Sequence, residues 1–234
     1  MDSDDEYTDP LNHFMQQSSD GSSIVPNQQP SVRHGEMLRL SFGGSTSTIT
    51  VDLMLDASPG CGGVAWPAGE VLAQYLVKQG PNSLLGKNVL ELGSGTGLVG
   101  LVAAMLGGTV YLTDQAPLLS IMRENVTVNK LTTRCVVAEF SWGEPIPADI
   151  PRPDVILAAD CVYFEPAFPL LVQTLCDLVD ADTDVLFCYK KRRKADKRFF
   201  ALLKKKFKWT DVPDDPARAT YSRESISLLR LSKL

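Results

Sequence analysis

Between residues 88 and 100 the chain reads NVLELGSGTGLVG, and this stretch limits the possible folds most. Val89, Leu90 and Leu92 make an apolar run that suits a buried strand, while Leu98, Val99, Leu101 and Val102 suit the packed face of a helix. Between them, Gly93, Gly95 and Gly97 let the backbone turn sharply and approach another group closely, because no Cβ intervenes. Strand, glycine turn and helix in that order form the layout of a nucleotide-binding unit. The plainer reading is a bare strand-to-helix connection, and the turn alone does not decide between the two.

The rest of the chain repeats the alternation. EMLRLSF and TITVDLML, within about 36–55, read as a strand pair joined by a glycine-containing loop. Helices are expected over 64–78, 98–106, 117–130, 166–179 and, strongly basic, 193–206. Strands are expected at 88–92, 109–113, 134–138, 154–159, 184–189, 207–212 and 225–231. Such alternation predicts an α/β fold, a mostly parallel central sheet with helices on both faces, preceded by an N-terminal β-hairpin. Residues 1–32, rich in Ser, Gln, Asp and Pro, read as a disordered tail, and 33–234 as a single domain.

Several classes are disfavoured. No run of 18 apolar residues is present, so no membrane span is expected. The acidic start MDSDDEYTDP lacks the features of a secretory signal, which places the protein inside the cell, in the cytoplasm. The five cysteines, at 61, 135, 161, 176 and 188, are scattered without a CxxC and read as free thiols. His13 and His34 both lie in the N-terminal segment, so neither a histidine-held metal nor a histidine base is expected. A monomer is the expectation.

Asp114 ends the run VYLTD about 20 residues after the glycine turn, where a carboxylate can accept hydrogen bonds from two ribose hydroxyls. A helix cap before Ala116 and Pro117 is the alternative. The turn is GxGxG with Glu91 two positions ahead, unlike the GxGxxG of dinucleotide enzymes. A carboxylate there would repel a pyrophosphate but attract a sulfonium ligand carrying an α-amino group.

Four stretches, GVAWPAGEVL, ELGSGTGLVG, YLTD and AADCVYFEPAF, occur in that order. In them the chain, over roughly residues 60–232, resembles the family-16 protein-lysine methyltransferases, which have the Rossmann-like seven-strand fold and use S-adenosylmethionine. The resemblance implies a cofactor site made by Trp66, Glu91, Gly93, Ser94, Gly95, Asp114, Trp142 and Ala159. Ser141 stands where many related enzymes carry an acidic residue, so backbone contact to the adenine is expected. Core packing is the plainer role for both tryptophans.

The resemblance places the chemistry in DCVY. Asp160 falls at the carboxyl end of the expected strand VILAA, and can accept hydrogen bonds from a lysine ammonium, while the ring of Tyr163 can wall the channel and attract the cation. A helix cap before FEPAF is the alternative for Asp160. The implied reaction is methylation of a protein lysine, with translation elongation factor 1-alpha as the expected substrate. A methyltransferase of RNA or a small amine, and a non-catalytic binding module, remain as rivals.

Residues 190–208 hold 11 of the 23 basic residues and one acid, a charge of +10; the whole chain is −5, so the remainder is −15. This segment reads either as a solvated helix face with Phe199, Phe200, Leu202 and Leu203 turned inward, or as a dock for an acidic protein or RNA. KKRRK also has the character of a nuclear import signal.

Overall fold

The computed structural model describes residues 35–43, 48–57, 61–192 and 196–234. The expected tail at 1–32, both histidines and the hairpin loop lie outside the described residues. Two strands, β1 (Glu36–Gly43) and β2 (Thr48–Leu55), pair antiparallel with Glu36 opposite Leu55 and Gly43 opposite Thr48. Helix α1 (Pro67–Lys78) begins three residues later than its apolar pattern. Pro67 takes the first helical position and holds Trp66 extended before it, at φ −104° and ψ 147°.

The chain then alternates through β3 (Asn88–Leu92), α2 (Leu98–Met105), β4 (Thr109–Asp114), α3 (Leu119–Val128), β5 (Cys135–Glu139), β6 (Val155–Ala159), α4 (Phe168–Leu178) and β7 (Asp184–Lys190). It ends with α5 (Asp196–Leu203), β8 (Phe207–Asp211), α6 (Arg218–Arg223) and β9 (Ile226–Lys233). Proline-containing 3-10 turns, Ala116–Leu118 and Glu165–Ala167, precede α3 and α4. Sequence periodicity ran these turns into their helices, and it missed α6, whose six residues are too few to show a period.

Seven strands form one sheet in the order β5-β4-β3-β6-β7-β9-β8. Neighbours from β5 to β7 are parallel, whereas β9 runs antiparallel to both β7 and β8. Alternate residues of each central strand feed opposite cores. Val89, Leu157 and Leu186 pack under α1, α2 and the hairpin. Leu90, Ile156 and Phe187 pack under α4 and α5, where Phe199 stacks on Phe187 with ring centroids 5.5 Å apart. Both faces are thus covered, as a parallel sheet requires. The order reverses at β3, flanked by β4 on one side and β6 on the other, and the carboxyl ends there leave the crevice in which open α/β sheets bind ligands.

The hairpin is pinned to this crevice by α3. Fully buried Asn125 accepts the Met54 N–H (2.6 Å) and donates to the carbonyls of Met54 (3.1 Å) and Thr96 (2.9 Å). One turn later Asn129 accepts the Asp52 N–H and donates to the Asp52 carbonyl, at 3.0 and 2.7 Å. Four-residue spacing puts both amides on one helix face.

Candidate active site

A cleft of about 580 Å³ opens at the carboxyl ends of β3, β4 and β6, within the range of roughly 300–1,000 Å³ usual for small-molecule sites. Its walls include every cofactor and acceptor residue that the resemblance implies: Trp66, Glu91, Gly93, Ser94, Gly95, Asp114, Trp142, Ala159, Asp160 and Tyr163.

The glycine turn is held by its neighbours. Gly95 has φ +57°, and a Cβ there would stand 2.6 Å from the Gly62 carbonyl oxygen, so a side chain is excluded both by conformation and by contact. Its N–H donates to Asp114 Oδ2 (2.9 Å), and the Gln115 N–H donates to Oδ1 (2.7 Å). Each carboxylate oxygen therefore holds one backbone donor and keeps acceptor capacity for another. Burial pushes the Asp114 carboxyl above its ordinary range, with the two N–H groups pulling back. Asp114 does not cap the turn that follows, which has no side-chain cap. Ser94 spends its hydroxyl on the backbone, donating to the Glu91 carbonyl (3.3 Å) and accepting the Thr113 N–H (3.0 Å).

Glu91 is 3% exposed, and its Oε2 accepts the Gly100 N–H at 3.0 Å. Burial dominates and pushes its pKa up to about 8, so this carboxyl is mostly protonated at neutral pH. Gly100 makes the contact possible, since a Cβ there would fall 2.1 Å from Leu112 and 2.7 Å from the Glu91 oxygen.

Asp160 sits in the left-handed region at φ +56°, a conformation Asp tolerates better than most residues. Its oxygens are already held: Oδ1 accepts the Lys190 N–H (2.9 Å) and Arg192 Nη1 (2.8 Å), and Oδ2 accepts Arg192 Nη2 (2.8 Å). The sequence offered this carboxylate to an incoming ammonium; the structure adds a guanidinium fork. Asp160 caps neither the Glu165–Ala167 turn nor α4. Arg192 also lies over the Trp66 ring, 5.1 Å from its centroid. Trp66 and Trp142 are both half-buried, and Trp142 packs on the α4-side core while lining the cleft. At the mouth Tyr163, Phe164 and Leu170 expose 36%, 44% and 46% of their surface, an apolar rim facing outward.

Among the described residues of the basic segment the apolar side chains turn inward and the lysines outward, an arrangement that both a solvated face and a dock share. Phe199 and Leu203 are fully buried, Phe200 and Leu202 partly, and Lys204, Lys205 and Lys206 point to solvent. Cys135, Cys161 and Cys188 are buried free thiols.

Arg192, Gly100, Asn125 and Phe140 were not legible as site residues. In the sequence Arg192 shows only as charge, because its carboxylate partner lies 32 residues upstream. The asparagine pair did carry a signal, since two amides four residues apart on an apolar-faced helix demand partners.

A glycine turn after the first parallel strand, a carboxylate at the end of the next and a cleft at the point of strand reversal define the class: a Rossmann-like methyltransferase. The rRNA N2 G1207 methyltransferase RsmC of T. thermophilus, solved with AdoMet and guanosine, shares this fold with a TM-score of 0.58 at 18% identity, covering 85% of this chain and 51% of that one. The lysine methyltransferase family model matches residues 46–206, and the chain belongs to that family. It is 37% identical to the protein-lysine N-methyltransferase EFM6 of Saccharomyces cerevisiae, over 90% of this chain and 96% of that protein. It is 42% identical to the protein N-lysine methyltransferase METTL21A of Danio rerio, over 68% and 74%. The enzyme is thus an S-adenosylmethionine-dependent protein-lysine methyltransferase. The donor set of the cleft fits that cofactor. Asp114 keeps acceptor capacity on both oxygens for a diol, and buried Glu91 gains by facing positive charge. No helix among the described residues is long and apolar enough to cross a membrane.

Proposed function

We propose that the enzyme methylates a lysine of translation elongation factor 1-alpha, acting as a monomer in the cytoplasm. Trp66, Glu91, Gly93, Ser94, Gly95, Asp114, Trp142 and Ala159 hold the cofactor, and Asp160 and Tyr163 receive the lysine. The observation that carries this reading is that both sets of residues wall one cleft whose mouth is rimmed by exposed Tyr163, Phe164 and Leu170. Such a rim suits a protein surface delivering one long side chain. The choice of elongation factor rests on the resemblance of the four sequence stretches to enzymes acting on such factors.

When bound, the cofactor supplies an electrophilic methyl carbon. Asp114 would accept hydrogen bonds from the ribose hydroxyls, and Glu91 would compensate cationic charge. Asp160 orients the amine, and the Tyr163 ring excludes water from one side of the channel. Alignment of this kind is worth up to roughly 7–11 kcal/mol in favourable systems, so no strong base is needed. The acceptor proton passes to water.

The test is to incubate the purified enzyme and methyl-labelled cofactor with extract from cells in which its gene is disrupted. Label in elongation factor 1-alpha supports the proposal. Label confined to other proteins would keep the activity and replace the substrate.

A further inference from the structure

One charged group beside the cleft does not line it yet holds two residues that do. Arg192 reaches Asp160 from outside the cleft, with its two Nη atoms each 2.8 Å from one carboxylate oxygen, and its Cζ lies 5.1 Å from the centroid of the Trp66 ring. Trp66 and Asp160 do line the cleft, so one guanidinium joins the cofactor wall to the acceptor wall. The pair is well shielded, with side chains 16% and 6% exposed. Arg192 is itself fixed from the far side, where its backbone N–H donates to Asp196 Oδ2 at 3.0 Å, at the start of α5.

We infer that Arg192 is the positioning residue of the transfer site, holding Asp160 in place and cancelling its charge so that the acceptor lysine loses its proton readily. The inference rests on the reading of Asp160 as the acceptor contact. An uncompensated carboxylate beside the lysine would hold it as ammonium, which has no lone pair with which to accept a methyl group. An opposite charge within about 4–6 Å raises an amine's pKa, by the same logic that depresses a carboxylate's by roughly 1–3 units. Paired with Arg192, Asp160 still has lone-pair capacity on Oδ2 to orient an N–H, because three of its roughly four acceptor positions are taken. Orientation is kept while the electrostatic preference for ammonium is removed. The ammonium gives one proton to water and presents a neutral amine.

Other titratable groups bear on this site. The Cys161 and Cys188 thiols flank Asp160 and are pushed up by burial, so both stay neutral across the working range. Tyr163 shares its cleft wall, the Lys190 side chain follows the N–H that binds it, and Asp196 faces Arg192 from α5. Glu91 and Asp114 lie in the same cleft, and their titration is common to wild type and variants.

The test is the pH dependence of single-turnover kcat for methylation of the purified protein substrate with cofactor saturating. It would be run for wild type, Arg192→Gln, Arg192→Lys and Asp160→Asn, with cofactor affinity and Tm measured for each. Arg192→Gln should move the rising limb up by about one unit or more, so that the rate falls about tenfold at pH 7 and recovers toward the wild-type value when the pH is raised. Arg192→Lys should leave the limb in place while lowering kcat, because charge survives and the fork does not. Asp160→Asn, which leaves the cation uncompensated, should move the limb the opposite way, and it keeps the test decisive if Arg192→Gln does not fold. A rate loss in Arg192→Gln that is the same at every pH would overturn the inference, as would equal displacement of the limb in Arg192→Lys. If wild type methylates no lysine, the reading of the acceptor site fails; with wild-type methylation intact and unmoved limbs, only the role of Arg192 fails.

Discussion

Replacing Glu91 by Gln is expected to make the enzyme more stable above neutral pH while weakening its hold on the cofactor. Glu91 is buried beneath the glycine turn, and its pKa rises from 4.5 to about 8 in the folded protein. Because the folded value lies above the unfolded one, its contribution is fully present below pH 4.5 and is lost as pH climbs through about 8. Over that window the loss approaches roughly 1.4 kcal/mol per pH unit, or about 3–4 kcal/mol between pH 5 and 8. Glutamine keeps an oxygen for the Gly100 N–H, which now lies 3.0 Å from Oε2, and carries no charge. Urea titrations of both proteins at pH 5, 7 and 8.5 should therefore diverge steadily, with the variant gaining relative to wild type as pH rises. Cofactor binding to wild type should release close to one proton at pH 7, read by calorimetry in two buffers of different ionisation enthalpy, and the variant should release much less. Parallel pH–stability curves, or equal proton release in both proteins, would refute the reasoning.

Asp114→Ala should lower S-adenosylmethionine affinity at least about 100-fold by calorimetry, since two hydrogen bonds to a charged acceptor are lost and the Gly95 N–H is left without its partner. Asn125→Ala should cost about 3 kcal/mol in urea unfolding, because it strands the Met54 N–H and the Met54 and Thr96 carbonyls. Reversing Lys204, Lys205 and Lys206 to Glu should raise KM for the protein substrate and flatten its salt dependence in steady-state assays, with cofactor affinity unchanged. Equal KM at low and high salt would return that face to the role of a solvated surface.

What the sequence disclosed and what it hid follow from the range of the interactions concerned. The β3 strand was legible to the residue because Val89, Leu90 and Leu92 are buried by an intact sheet and the glycines mark its end. Asp114 and Asp160 were legible because strand ends in open sheets bring such residues to one edge. Helix starts were less so: at α1, α3 and α4 a proline sets the entry, and the apolar pattern runs past it. The Asp160–Arg192 fork and the Asn125 latch join residues 32 and 71 positions apart, and nothing local in either partner announces the other. Gly100 is similar, because a glycine inside an apolar helix shows its purpose only when Leu112 and Glu91 are seen against it.

The central claim is that this cleft passes a methyl group to the side-chain nitrogen of a protein lysine. The most direct measurement is tandem mass spectrometry of purified elongation factor 1-alpha after incubation with enzyme and isotopically labelled S-adenosylmethionine, beside a parallel reaction with Asp114→Ala. The account predicts label on lysine Nε in the wild-type reaction and its loss in the variant at the same cofactor concentration. Label on another residue type or only on RNA, or undiminished lysine methylation by Asp114→Ala, would contradict it.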